Sequence, residues 1–203
     1  KMNFHNVLKI VLAAGCSKRF GPNNKLLQEL AGKKILEHTI ENLLKTFNPE
    51  EILVITGFEN KKIELCLEKY KIFTSFNKNY NEGMGTSISH AIQRCKSNLD
   101  GVMIIPGDMP LIMPNDYKKI ITSFEQQNNE KIICPLYKNI KGNPLILPKS
   151  IFNLLKNLKN DNGAKKHLVD KDIFYVNAGY GTVYDIDSIN DLQKAEFLIK
   201  EFN

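Results

Sequence analysis

Val7-Leu8-Lys9-Ile10-Val11-Leu12-Ala13-Ala14-Gly15-Cys16-Ser17-Lys18-Arg19-Phe20-Gly21-Pro22-Asn23-Asn24-Lys25 joins an apolar run to a basic loop that contains glycine. Val7 to Leu12 is broken only by Lys9, the composition of a parallel strand covered on both faces, so the loop leaves the strand's carboxyl end. Gly15 and Gly21 allow backbone conformations closed to other residues. Small Ala13 and Ala14 let a ligand approach the main chain, and successive N–H groups can converge on anionic oxygens. Arg19 adds a planar fork for phosphate oxygens and Lys25 a mobile point charge. The run is neither G-x-x-x-x-G-K-[ST] nor G-x-G-x-x-G. The competing reading is an ordinary strand-to-helix turn whose cations face solvent.

Outward from this stretch, apolar runs alternate with amphipathic ones to the end of the chain, the pattern of strands linked by crossover helices. The expected fold is α/β, Rossmann-like, three layers in the order αβα around a mostly parallel mixed sheet. Strands are expected near 7–13, 51–56, 72–76, 101–106, 131–136, 143–147, 172–176 and 181–186. Helices are expected near 34–46, 59–70, 85–97, 114–126, 149–158, 161–169 and 188–201. Ile35, Leu36, Thr39, Ile40, Leu43 and Leu44 form a stripe at helical spacing that faces the core. The short strands after residue 130, including Leu145 to Leu147, are expected to make an antiparallel excursion covering the site. With 203 residues, 42% of them hydrophobic, and no repeat or linker, the chain reads as one domain over 1–203.

The excess of 28 Lys+Arg over 22 Asp+Glu gives a formal charge of +6. The lysines are spread along the chain without a basic block or interleaved aromatics, which argues against a nucleic-acid partner and fits anionic small molecules or an acidic partner. No apolar run approaches the roughly 18 residues needed to span a bilayer, and the start lacks a signal peptide, so a soluble, cytoplasmic protein without a membrane partner is expected. Cys16, Cys66, Cys95 and Cys134 make no C-x-x-C pair. Cys16, inside the loop, reads as small buried filler, with modification there as the alternative. His5, His38, His90 and His167 have no metal-ligand spacing and read as surface or satisfied core histidines.

Two segments offer carboxylates. Pro106-Gly107-Asp108-Met109-Pro110 follows the apolar run Val102 to Ile105 and delivers Asp108 to the crevice at the strand's carboxyl end. Tyr184-Asp185-Ile186-Asp187-Ser188 puts Asp185 and Asp187 on one face by the period of two. Either set can close a turn or cap a helix instead: Asp108 in a Pro-rich turn, Asp187 or Ser188 at the last helix. Carboxylates on separate elements opposite a basic glycine loop can bind Mg²⁺ and neutralise a nucleoside triphosphate from both sides. An acceptor oxygen would then attack the α-phosphorus while pyrophosphate leaves, accelerated by positioning and charge. No Ser/His/Asp triad is present to suggest a dedicated nucleophile. A third loop, Asn77-Lys78-Asn79-Tyr80-Asn81-Glu82-Gly83-Met84-Gly85-Thr86-Ser87, leads into a helix whose free N–H groups suit a base or a phosphate.

Taken in order, these segments resemble the molybdenum cofactor cytidylyltransferases of the MobA-like nucleotidyltransferase superfamily. Leu12-Ala13-Ala14-Gly15 with Arg19, Gly21 and Lys25 is similar to the family's nucleotide loop, and Asn77 with Glu82 to Ser87 to its second loop. Gly107-Asp108-Met109-Pro110 resembles its metal segment. Gly142-Asn143-Pro144, Asp161-Asn162-Gly163-Ala164-Lys165 and Asp185-Ile186-Asp187 resemble its later elements. The resemblance implies a nucleotidyltransferase fold in which Leu12, Ala13, Ala14, Gly15, Arg19, Lys25, Gly83, Ser87 and Asp108 bind the nucleotide. It also implies that Arg19, Lys25 and Asp108 are catalytic and that Asp108 and Asp187 hold Mg²⁺. The implied reaction passes CMP from CTP to a molybdopterin-type cofactor, with a xanthine dehydrogenase-type apoenzyme or its chaperone as partner. Ala14 favours this over guanylyltransferase relatives, which tend to carry Gly there. Asn160, Lys165 and Ser188-Ile189 depart from the family's frequent Gly, Arg and Thr-Pro. Alternatives are transfer from GTP, another phosphorylated acceptor such as a sugar or alcohol phosphate, and a non-catalytic accessory protein that delivers cofactor.

Overall fold

A computed structural model describes residues 6–16, 20, 23–158 and 172–201. Its strands, in chain order, are β1 (Val7–Ala13), β2 (Glu29–Leu30), β3 (Lys33–Lys34), β4 (Ile52–Thr56), β5 (Phe73–Phe76), β6 (Gly101–Pro106), β7 (Ile132–Tyr137), β8 (Ile140–Lys141), β9 (Leu145–Pro148) and β10 (Ile173–Asn177). Its α-helices are α1 (Ile35–Leu44), α2 (Asn60–Leu67), α3 (Met84–Ile92), α4 (Pro114–Gln126), α5 (Phe152–Leu155) and α6 (Ile189–Glu201). The main sheet runs β10-β7-β9-β6-β1-β4-β5, with β8 paired to β7; β2 and β3 form a separate ribbon. β1 is central and parallel to both neighbours, Ala13 opposite Thr56 and Leu12 opposite Pro106. The loops after β1 and β6 therefore leave side by side.

Alternation along β1 sorts the core into two layers. Val7, Val11 and Ala13 join the cluster that includes α1 and α4, while Ile10 joins the one built with α3 and α5. The stripe of α1 is fully buried at Ile35, Leu36, Thr39, Ile40 and Leu43, each large apolar member contributing about 1.5–3 kcal/mol. The helix starts where Glu37 Oε2 accepts the Lys34 N–H at 2.8 Å. Lys9, the one polar residue in the run, stays in a dry strand because its ammonium donates to Glu51 at 2.8 Å and lies 4.1 Å from the Phe47 ring centroid. Burial still pushes the Lys9 pKa below the usual lysine range, against the pull of Glu51.

Three expectations need correction. Residues 181–186 form no strand: Tyr180–Val183 is a 3₁₀ turn, and the extended residues after it bond to loops rather than to a ladder. The Thr182 carbonyl accepts the Asn143 N–H at 2.8 Å, and the Ile186 N–H donates to the Asp108 carbonyl at 3.0 Å. Gly181 packs so closely on the Leu111 carbonyl that a Cβ there would stand 1.9 Å away. Nor does the excursion at Leu145 to Leu147 cover the site. β9 lies inside the sheet, antiparallel to β6 and β7, because its side chains are apolar and buried on both faces. The helix expected over 149–158 is a 3₁₀ turn at Lys149–Ile151 followed by the single turn of α5. The helix expected at 161–169 lies outside the described residues.

Candidate active site

At the carboxyl ends of β1 and β6 the described residues enclose a cleft of about 720 Å³, the size of a small-molecule site. Leu12, Ala14, Gly15 and Cys16 form one wall, and Tyr80, Asn81, Gly83, Met84 and Ser87 form another. Lys25, Asp108, Asp185 and Asp187 meet at a third, with Asn143 nearby. Of the residues expected to bind nucleotide, Leu12, Ala14, Gly15, Lys25, Gly83, Ser87 and Asp108 thus come together, and Asp187 joins them. Ala13 does not line the cleft; its methyl is buried in the α1-side core. Arg19 and Gly21, like Asp161 to Lys165, lie outside the described residues.

The walls are braced by short-range bonds. The Ala14 carbonyl accepts the Phe58 N–H at 3.1 Å. Gly57 allows the second loop to approach this close, since a Cβ there would stand 2.6 Å from Tyr80 and 2.7 Å from the Ala14 carbonyl. Across the cleft, Cys16 Sγ donates to Asn81 Oδ1 at 3.3 Å; Cys16 is half-buried and faces the ligand space, not the filler expected from its type. Asn77, buried at the end of β5, donates from Nδ2 to Thr86 Oγ1 and to Ser87 Oγ, both at 3.0 Å, and fixes the start of α3. His90 bonds Ser75 Oγ at 2.9 Å and His38 contacts the Leu30 carbonyl at 2.6 Å, so both are satisfied by the protein.

Lys25 begins a 3₁₀ turn capped by Asn24, whose Oδ1 accepts the Leu26 N–H at 3.1 Å while its Nδ2 donates to the Phe58 carbonyl. The Lys25 ammonium contacts Asp108 Oδ2 at 2.6 Å and Asp187 Oδ1 at 2.7 Å. Burial disfavours its charge, but Asp108 and Asp187 outweigh that cost and raise its pKa above the usual lysine range. The turn carrying Asp108 is held by the Gly107 N–H on the Leu12 carbonyl at 3.0 Å and by Thr39 Oγ1 on the Gly107 carbonyl at 3.1 Å. Oxygens of Asp108, Asp185 and Asp187 lie within 4.8 Å of one another. Partial loss of water, then the like charges of Asp108 and Asp187, push the Asp185 carboxyl above its ordinary range. Ser188 settles the alternative left open for this segment: its Oγ accepts the Asp191 N–H at 3.2 Å and donates to Asp191 Oδ2 at 2.6 Å, capping α6 and leaving Asp187 to face the cleft.

Residues 9–173 match the MobA-like NTP transferase domain. The chain belongs to this family. It is 34% identical over 146 residues to a probable molybdenum cofactor guanylyltransferase of Thermococcus sibiricus, covering 68% of this chain and 66% of that one. To the bifunctional protein GlmU of Buchnera aphidicola subsp. Schizaphis graminum it is 30% identical over 142 residues, covering 70% of this chain and 30% of the other. The chain thus spans less than two thirds of the length of these relatives. Among solved structures, a nucleotidyl transferase from Methanothermobacter thermautotroptrophicus superposes with a TM-score of 0.81 at 18% identity, covering 97% and 99% of the two chains. A Mycobacterium tuberculosis protein solved in complex with manganese superposes with a TM-score of 0.72 at 18% identity, covering 95% and 98%. These likenesses establish the α/β nucleotidyltransferase fold, with its mixed, mostly parallel sheet.

Within this MobA-like domain, the sequence named Asp108 and Asp187 as cation ligands and left Asp185 as their neighbour. The structure makes Asp185 a third member of the cluster, although the strand from which its placement beside Asp187 was argued is not formed. Tyr80, Asn81 and Asn143 sit in loops the sequence had marked, but no local signal separated them from ordinary turn residues. No helix among the described residues is long and apolar enough to cross a membrane.

Proposed function

We propose that this chain is a single-domain, divalent-metal-dependent nucleotidyltransferase that passes CMP from CTP to the terminal phosphate of a molybdopterin-type molybdenum cofactor and releases pyrophosphate, acting in the cytoplasm. The observation that carries this reading is the convergence of Lys25, Asp108, Asp185 and Asp187 in one cleft beside the Leu12–Cys16 loop. The donor set fits a hard cation: three carboxylates with oxygens within 4.8 Å of one another suit the oxygen preference of Mg²⁺ or Mn²⁺. Asp108 and Asp187, with Asp185, would hold it, and when bound it supplies charge neutralisation to the phosphates.

The chain's own residues do the rest. The main chain at Ala14 and Gly15 faces the nucleoside, and Gly83 and Ser87 at the start of α3 offer donors to it. Lys25 and Arg19 neutralise the charge that grows as an acceptor phosphate oxygen attacks the α-phosphorus and the bond to pyrophosphate breaks. CTP is favoured by Ala14 in Leu12-Ala13-Ala14-Gly15. The Thermococcus sibiricus relative's name favours GTP as the second reading, with the same cleft and the same acceptor. A sugar or alcohol phosphate is the alternative acceptor. A purely accessory role gains nothing from three carboxylates and a lysine gathered at one point. The product dinucleotide would pass to a xanthine dehydrogenase-type apoenzyme or its chaperone.

Pyrophosphate release with Mg²⁺, measured across CTP, GTP, ATP and UTP with and without molybdenum-loaded molybdopterin, tests the reading. Release with CTP only when the cofactor is present is the expected result. Release with GTP instead would replace the base choice, and binding without release under every pairing would overturn the reaction.

A further inference from the structure

The family resemblance implies that Lys25 contacts the triphosphate, yet its ammonium lies on Asp108 at 2.6 Å and on Asp187 at 2.7 Å. Those are two of the three carboxylates that fit a divalent ion. An ammonium and an octahedral cation need the same oxygens. The ion takes them at about 2.0–2.1 Å, and two cations at such range repel one another strongly in a partly dried cleft. The backbone of Lys25 is fixed by the Asn24 cap, whereas its aliphatic stem is flexible and its head, 15% exposed, sits at the cleft surface.

We propose that Lys25 competes with the divalent cation for Asp108 and Asp187, and that a bound triphosphate draws Lys25 away, so that the cation is taken up with the nucleotide rather than ahead of it. The triphosphate brings several negative charges to the wall opposite the carboxylates and gives the ammonium another partner. Lys25 is then a coupling residue as well as a phosphate contact. The nucleotide half of this scheme rests on the nucleotidyltransferase reading; the competition itself does not, because it is read with the metal alone. A merely structural lysine has the opposite signature. If Lys25 only held the carboxylates together, its loss would let them splay and weaken ion binding.

The experiment is a Mn²⁺ titration followed by electron paramagnetic resonance, without nucleotide, on the parent, Lys25→Met and Lys25→Ala, with circular dichroism to establish that each is folded. Both variants are expected to bind Mn²⁺ tighter by about tenfold or more, as for removal of a close like charge. Asp108→Asn in the Lys25→Met background is expected to reverse the gain. Adding CTP is expected to tighten Mn²⁺ binding more in the parent than in either variant. Unchanged or weaker Mn²⁺ binding in both folded variants overturns the proposal, as does a gain that survives Asp108→Asn. Absence of pyrophosphate release from the parent with every nucleotide, beside an intact gain in Mn²⁺ affinity, overturns the functional reading and supports the competition.

Discussion

Lys9 and Lys25 both make short ion pairs, and the pairs serve different ends. Lys9 lies inside the sheet with no exposed surface, joined to Glu51 at 2.8 Å and resting on the Phe47 ring. Lys25 stands at the cleft wall, joined to Asp108 and Asp187, with Asp185 close behind. Burial opposes the charge of both. At Lys9 it prevails and the pKa falls, while at Lys25 the carboxylates prevail and the pKa rises. The difference lies in the surroundings: Lys9 and Glu51 are sealed in the core, whereas at Lys25 the carboxylates of Asp108, Asp185 and Asp187 meet at the wall of an open cleft. An ion pair sealed in a dry core secures a fold. Three carboxylates gathered at a cleft wall form a group that could hold a metal ion.

The contrast predicts where damage appears. The largest effect is expected from Asp108→Asn, which should lower Mg²⁺-dependent pyrophosphate release by more than about a thousandfold, upward of ~4 kcal/mol, while urea unfolding stays close to the parent's. Glu51→Gln should do the reverse. It removes the carboxylate paired with a buried ammonium and is expected to cost about 3 kcal/mol of stability, read by urea denaturation, with turnover per folded molecule unchanged. Lys25→Ala is expected to slow release by about a hundredfold, near 2.7 kcal/mol, again with little change in unfolding. A loss confined to stability would make Lys25 a second Lys9.

The smallest effect belongs to the segment that carries Asp187. Ser188→Ala removes the cap of α6 and is expected to cost about 1 kcal/mol at pH 7. The Ser188 hydroxyl, ahead of local backbone N–H groups, holds the Asp191 carboxyl below its ordinary range. A depressed carboxyl contributes stability above its unfolded pKa and loses it as pH falls through the folded one. Parent and variant should therefore converge in urea midpoint as the pH is lowered through the acidic range. A difference that persists there would separate the cap from Asp191.

Much of this was legible in the sequence where the local pattern and the tertiary role agree. Val7 to Leu12 reads as a central strand and forms one; Asp108 reads as delivered to the crevice and arrives there. The pattern misled where apolar residues pack onto loops. Tyr184 and Ile186 alternate with Asp185 and Asp187 as a strand would, yet the Tyr184 N–H donates to the Gly181 carbonyl and the Ile186 N–H to the Asp108 carbonyl, after a turn that depends on the absence of a side chain at Gly181. Leu145 to Leu147 was expected in an antiparallel excursion over the site; the pairing is antiparallel, but burial on both faces places the strand inside the sheet. The position of Lys25 was beyond reach, because its choice between phosphate and carboxylate depends on elements 162 residues apart.

On the proposed reading, this cleft transfers a nucleotide under the control of its carboxylate cluster. The most direct measurement supplies CTP labelled at the α-phosphate, Mg²⁺ and molybdenum-loaded molybdopterin, and follows the label in the parent and in Asp108→Asn. The label is expected to move to the cofactor in step with pyrophosphate in the parent and to stay on CTP in the variant. Equal transfer by both proteins, or none by the parent, would contradict that reading.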